Sequence, residues 1–183
     1  MGYTTNFDGQ FDLDKPLSAA QVAYLEKFSD TRRMVRHVAA TAALPDPLRE
    51  SVGLPIGKDG GYFVGSKSDF GYSYSDPSVI DHNRPPEGQP GLWCKWAPTE
   101  DGTGIVWNEA EKFYDYVAWL QYIIDNFLKP WGYVLNGKVR YQGEESDDRG
   151  VVIAKNNKVK QIPDKIVEGE WDDEDVENEG AEG

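Results

Sequence analysis

The stretch "RYQGEESDDRG", Arg140 to Gly150, sets Glu144, Glu145, Asp147 and Asp148 within five positions. Carboxylates at that density are the hard oxygen donors that Mg²⁺ or Ca²⁺ takes. They are equally the residues that keep a turn in water or meet a basic partner. Two considerations weigh against a metal. Adjacent residues on extended backbone point to opposite sides, so a hairpin loop does not converge all four on one ion. Neither an HExxH nor an EF-hand spacing is present. The expectation is no metal and no cofactor, with the cluster read as a charged recognition loop; a metal-dependent or small-ligand enzyme using residues 144–148 is the alternative.

The second group is basic. In "TRRMVRHV", Arg32, Arg33 and Arg36 share one exposed face if the preceding helix continues, while Met34 and Val38 turn inward. Guanidinium forks there would grip a phosphate or a carboxylate; the plainer reading is a solvated face paired with acids elsewhere. Asp81, His82 and Arg84 in "DHNRPP" stand in a long Gly- and Pro-rich interval, Gly65 to Gly91, where they either present a ligand or bond their own backbone in a turn. Trp93 offers a stacking surface near the tyrosines of "SDFGYSYSD", with core packing as the ordinary fate of such a ring.

Catalysis by a thiol is disfavoured. Cys94 is the only cysteine, and alternation places it with Leu92 and Trp96 on the core face of a strand, Trp93 and Lys95 lying on the other, so it reads as a structural thiol. "GLPIGKD" is not a phosphate loop: the glycine spacing is one residue short and Asp59 stands where Ser or Thr is needed. The candidate binding residues are therefore Arg32, Arg33, Arg36, Asp81, His82, Arg84, Trp93, Glu144, Glu145, Asp147 and Asp148, and none is assigned to catalysis.

Several elements must position them. Residues 3–13 alternate weakly around Phe7 and Phe11, with "DG" suited to a turn, giving an opening strand or hairpin. Ser18 and Gln21 form a capping box before an apolar stripe of Val22, Leu25 and Phe28. "LWCKWAP" and "IVW" read as a hairpin about a Gly-rich turn. Asn108 is placed as the cap of the strongest helix, with Phe113, Val117, Leu120, Ile124 and Phe127 at three- and four-residue steps and Pro130 and Gly132 ending it. Asn136-Gly137 and Asn156-Asn157 then lie between alternating segments as hairpin turns, with "EESDD" joining the two hairpins.

The charge is uneven. The whole chain carries −13, and from Asp164 to Gly183 ten acids stand against Lys165 alone, which leaves −4 for the first 163 residues. The division expected is one α+β domain over 1–163 and an acidic tail over 164–183 that is disordered or only weakly docked, since it buries too little to offset ordering. Net acidity argues against direct duplex nucleic-acid binding. No segment approaches a membrane span and no leader is evident, so the expected place is the cytoplasm, without a membrane partner.

The phrases "YTTNFDGQF", "TRRM", "DPLRESVGLPIG", "NRPPEGQPGLWCKW", "EKFYDYVAWLQYIIDNF" and "PWGYVLNGKVRYQGEESDDRG" occur in this order. Over residues 2 to 155 they resemble a family of small proteins of bacteriophages, prophages and bacterial genomes. The family has no settled activity, so the resemblance implies only a context, that of an accessory or host-interaction protein. The fold expected is α+β, an antiparallel sheet built from hairpins and packed against two main helices. The function expected is non-enzymatic binding of a protein partner through charged loops, with the enzyme reading and an acidic nucleic-acid mimic as alternatives.

Overall fold

The computed structural model describes residues 2–66 and 76–164. The acidic segment beyond residue 164 and the tyrosines of "SDFGYSYSD" lie outside these residues, as do the readings made of them. The architecture is α+β. One antiparallel sheet takes the order β4-β5-β1-β6-β7-β8, where β1 is Asn6–Leu13, β4 Trp96–Pro98, β5 Gly104–Trp107, β6 Leu135–Gln142, β7 Arg149–Lys155 and β8 Lys158–Pro163. A small second sheet pairs β2 (Val35–Arg36) with β3 (Val79–Asp81). Helix α1 (Ala19–Asp30), two short helices α2 (Val38–Ala42) and α3 (Pro47–Ser51), and α4 (Tyr116–Ile123) complete the order.

Alternation decides which face of the sheet is covered. Phe11, Leu135, Val139, Tyr141, Val152 and Ala154 point to one side and pack with Leu25 and Phe28 of α1 and Trp119, Leu120 and Ile123 of α4. Tyr24, Phe28, Trp119, Tyr122 and Phe127 meet mostly edge to face, the arrangement that aromatic quadrupoles favour. The opposite face is mixed: Asp8 lies opposite Arg140 and Gln10 opposite Lys138 in register, beside a small apolar pair, Val151 and Ile153.

Helix α1 begins as its capping box directs. Gln21 N–H donates to Ser18 Oγ at 3.1 Å and Ser18 N–H to Gln21 Oε1 at 3.0 Å, satisfying donors that the first turn leaves open. It ends at Asp30, where Thr31 is extended (φ −110°, ψ 125°), so the arginines after it do not share a helical face. Arg33 and Arg36 are instead buried, and Val38 is 46% exposed rather than turned inward.

The helix placed from Asn108 starts later. Asn108 Oδ1 accepts from Ala110 N–H at 3.0 Å, an Asx turn instead of a cap. Helix α4 opens at Tyr116 and runs into a π turn, Ile124–Leu128, closed by Lys129 N–H to Ile124 O at 2.8 Å.

Asn136-Gly137 is not a turn. Both residues lie inside β6, Gly137 opposite Phe11 on one side and Ala154 on the other. A strand bonded along both edges overrides the local turn preference of the pair. Gly137 keeps an unusual φ of +137°, and a Cβ there would stand 3.1 Å from both Gln10 O and Phe11 Cα. Residues 143–148 accordingly join β6 to β7 as one hairpin loop. Asn156 and Asn157 do form the next turn, both left-handed at φ 49° and 69°. Asp8-Gly9 likewise sits within β1, so the opening segment is a strand.

Candidate functional site

The sequence candidates separate into three places. Arg33 and Arg36 are core groups. The Arg33 guanidinium, 2% exposed, donates to the carbonyls of Gly61 (2.8 Å) and Phe63 (2.9 Å) and stacks 4.1 Å over Phe28. Arg36 donates to Ser78 Oγ at 2.7 Å and pairs with Asp76 at 3.3 Å. Arg33 ties loop backbone that no strand pairs, Arg36 ties the side chains of Ser78 and Asp76, and neither presents a surface.

The acidic loop is the second place. Glu144 accepts from Thr4 N–H, and Asp148 Oδ2 accepts from the Tyr3 hydroxyl at 2.6 Å, which in turn accepts from Glu145 N–H at 3.2 Å. The Asp148 hydrogen bond holds the Tyr3 phenol above its ordinary value. Two of the four carboxylates thus clamp residues 3–4, while Glu145 and Asp147 face solvent. Among the described residues, no group of three or more His, Cys, Asp or Glu is placed to hold a metal ion.

The third place is a cleft of about 350 Å³ lined by Arg32, Gly91, Trp93, Lys95, Lys112 and Tyr114, with Leu92, Glu111 and Asp115. Arg32 joins it to the 81–84 turn: its Nε donates to His82 O at 2.8 Å and its Nη2 to Asn83 Oδ1 at 3.0 Å. Within that turn Asp81 Oδ1 accepts from Asn83 N–H at 2.9 Å, and the Arg84 carbonyl accepts from Val35 N–H at 2.8 Å. Of the sequence candidates, then, Arg32 and Trp93 meet at the cleft, with Asp81, His82 and Arg84 in the adjoining turn.

The far wall comes from the irregular connection 109–115. Glu109, Lys112 and Asp115 are all left-handed at φ 67°, 61° and 56°, an uncommon conformation for these side chains that costs roughly 1–3 kcal/mol each. Four contacts impose it. Trp107 Nε1 donates to Ala110 O (3.0 Å), Trp96 Nε1 to Tyr116 O (2.7 Å) and Tyr3 N–H to the Tyr114 hydroxyl (3.0 Å), and the Lys112 stem lies against Gly2. Tyr114 remains 51% exposed, a large ring held at the rim.

Charge at the cleft is incompletely matched. None of Arg32, Lys95 and Lys112 forms an ion pair among the described residues. Lys95 Nζ donates to the backbone carbonyl of Glu111 instead. Burial, and after it the neighbouring Lys112 charge, hold the Lys95 ammonium below its ordinary value against the opposing pull of Glu111. On the inner side of the same segment, burial pushes the Cys94 thiol up to about 12, so it stays protonated and inert.

A larger hollow of about 550 Å³ beside Tyr62 and Tyr122 is less suited to a ligand, because its polar groups are already matched. Lys58 pairs with Glu87, and the Tyr62 hydroxyl donates to Asn126 Oδ1 at 2.9 Å. Sequence reasoning placed Trp93 and Lys95 on an outward face but missed Lys112, Tyr114 and Asp115, since nothing in "NEAEKFYD" marks a left-handed Lys. Comparison with protein families, with characterised proteins and with solved structures finds no match to this chain.

Proposed function

We propose that this chain is a non-catalytic binding protein that engages a protein partner at the Arg32–Trp93–Lys112–Tyr114 cleft and the 81–84 turn beside it. The observation that carries the reading is the set of three cations and two partly exposed aromatic rings brought together from separate segments and held on a braced connection. Aromatic and guanidinium groups at a rigid rim are the usual anchors of protein interfaces. The context implied by the resemblance, an accessory or host-interaction role in a bacterial cytoplasm, accords with it.

The enzyme reading of residues 144–148 gains no support, because Glu144 and Asp148 are engaged by Thr4 and Tyr3. A nucleic-acid mimic would want one sign of charge arrayed along the fold; the open sheet face instead opposes Asp8 to Arg140.

The test is a photo-activated phenylalanine analogue at position 114 of the full chain, expressed in bacterial cells and read by mass spectrometry of adducts. A discrete protein adduct is expected, lost when Lys95→Glu and Lys112→Glu are added. Absence of an adduct, or one unchanged by charge reversal, contradicts the reading.

A further inference from the structure

The face of the sheet turned away from α1 and α4 is basic over its last three strands. The alternation that sends Val139, Val152 and Ala154 into the core sends Lys138, Arg140, Arg149, Lys155, Lys158 and Lys160 to the other side. Register sets Lys138 and Lys160 on either side of Ile153, and Lys155 opposite Lys158. Val151 and Ile153 run between these bases, with Ile162 packed against the pair. Against the six bases this part of the face has one acid, Asp164, which directly follows β8. A face of that sign, in a chain of net charge −13, suits a segment that mixes many carboxylates with a few apolar side chains.

The chain itself leads such a segment onto the face. Asp164 N–H donates to Arg149 O at 2.9 Å, prolonging the β7–β8 ladder by one residue. Asp164 Oδ2 accepts from Arg140 Nη2 at 2.7 Å and lies 3.4 Å from Arg149 Nε. The first acid of the acidic run is therefore already held by two of the bases. Nine more acids follow it against Lys165, with Ile166, Val167, Trp171 and Val176 among them. At the end of the sheet where Asp164 sits, β6 and β7 are joined by the loop 143–148, whose Glu145 and Asp147 face solvent. A path straight on meets like charge, and a path back over β7 and β6 meets opposite charge. Length permits the return: β8 is 6 residues long, about 20 Å, and the residues from Asp164 to Asp172 extend to about 26 Å.

We propose that residues 165–183 dock on the open face of β6–β8 of their own chain, with Asp172, Asp173, Glu174 and Asp175 over Lys155, Lys158 and Lys160. The tether decides between this occupant and the same segment of a second copy, because a link of this length holds the acids at an effective concentration near millimolar, well above that of free chains in dilute solution. The contacts are exposed ion pairs, each weak and open to screening, so the docking is reversible. An anionic partner reaches this face only by displacing the segment.

The experiment is brief amine acetylation of the full chain, read by mass spectrometry and compared with the variant Asp172→Asn, Asp173→Asn, Glu174→Gln, Asp175→Asn. Lys155, Lys158 and Lys160 should react severalfold faster in the variant, and also in the unaltered chain at about 1 M salt, where screening acts within about 3 Å. Lys58 and Lys129, on the helical side, should not change. Carbodiimide coupling of an equal mixture of ¹⁴N- and ¹⁵N-labelled chains then identifies the occupant: joins between residues 172–175 and Lys155 or Lys158 should carry one isotope only. Mixed-isotope joins would assign the face to a second copy and overturn the proposal. So would reactivity that is the same in the variant, or joins made as often to Lys58 and Lys129.

Discussion

The acidic loop 143–148 and the cleft at Gly91 use charge in opposite ways. The loop is dense in sequence and spent in space: Glu144 and Asp148 take donors from Tyr3 and Thr4, and the remaining carboxylates diverge into solvent. The cleft is sparse in sequence, assembled from residues 32, 91–95 and 111–115, and keeps three cations without carboxylate partners among the described residues. What marks a site is polar capacity left over after folding. Tyr3 links the two regions, since its phenol is bound by the loop and its N–H supports Tyr114. The loop thus acts as a brace for the cleft.

The largest effect expected separates adjacent arginines. Arg33→Ala removes the donor shared by two buried carbonyls and leaves a hole under Phe28, so it should destabilise by about 3–5 kcal/mol in denaturant unfolding, whereas Arg32→Ala should cost less than about 1. Equal costs would erase the distinction between core and cleft cations. Gly137→Val comes next. Its Cβ meets backbone at 3.1 Å and its φ of +137° is strained, so a loss of about 2–4 kcal/mol is expected on β6, which leads into the loop.

The inner side of the cleft segment 91–95 titrates. Cys94 has its folded-state pKa raised from 9.0 to about 12, so its contribution to stability is complete below pH 9 and is lost as pH rises from there toward 12. Unfolding followed against pH should fall by up to about 1.4 kcal/mol per pH unit on its account, and Cys94→Val should remove the part that begins near pH 9. A profile that is flat over that range, or the same in the variant, would place Cys94 in water.

Smaller still is the brace. Tyr3→Phe deletes the hydrogen bond to Asp148 and should lower stability slightly, with faster amide exchange confined to residues 2–5 and 112–115. Exchange spread evenly over the chain would break the link between loop and cleft. Glu145→Gln with Asp147→Asn should change stability by no more than about 0.5 kcal/mol, as solvated charges do.

How much of this could be read from the chain alone differs by residue. Short-range chemistry was legible: the Ser18–Gln21 box, the Asn156-Asn157 turn and the apolar steps Leu120, Ile124 and Phe127 each depend on neighbours a few positions away. Asn136-Gly137 misled because pairing on both sides of β6 outweighs a dipeptide's turn preference. Arg33 misled because a charged side chain reads as surface, while here it ties carbonyls of residues 61 and 63 that lack strand partners. Of the cleft, Arg32 was legible as a candidate cation and Trp93 and Lys95 as an outward pair. Its remaining wall depends on left-handed residues forced by tryptophan and tyrosine contacts, a long-range cause with no local mark.

The claim that binding belongs to the cleft and bracing to the loop is tested most directly by covalent footprinting of the free chain and its captured complex, with amine labelling and carboxyl labelling in parallel. Lys95 and Lys112 should lose reactivity in the complex while Glu145 and Asp147 keep theirs. Protection of Glu145 and Asp147 with unchanged Lys95 and Lys112 would contradict the account and return the acidic loop to first place.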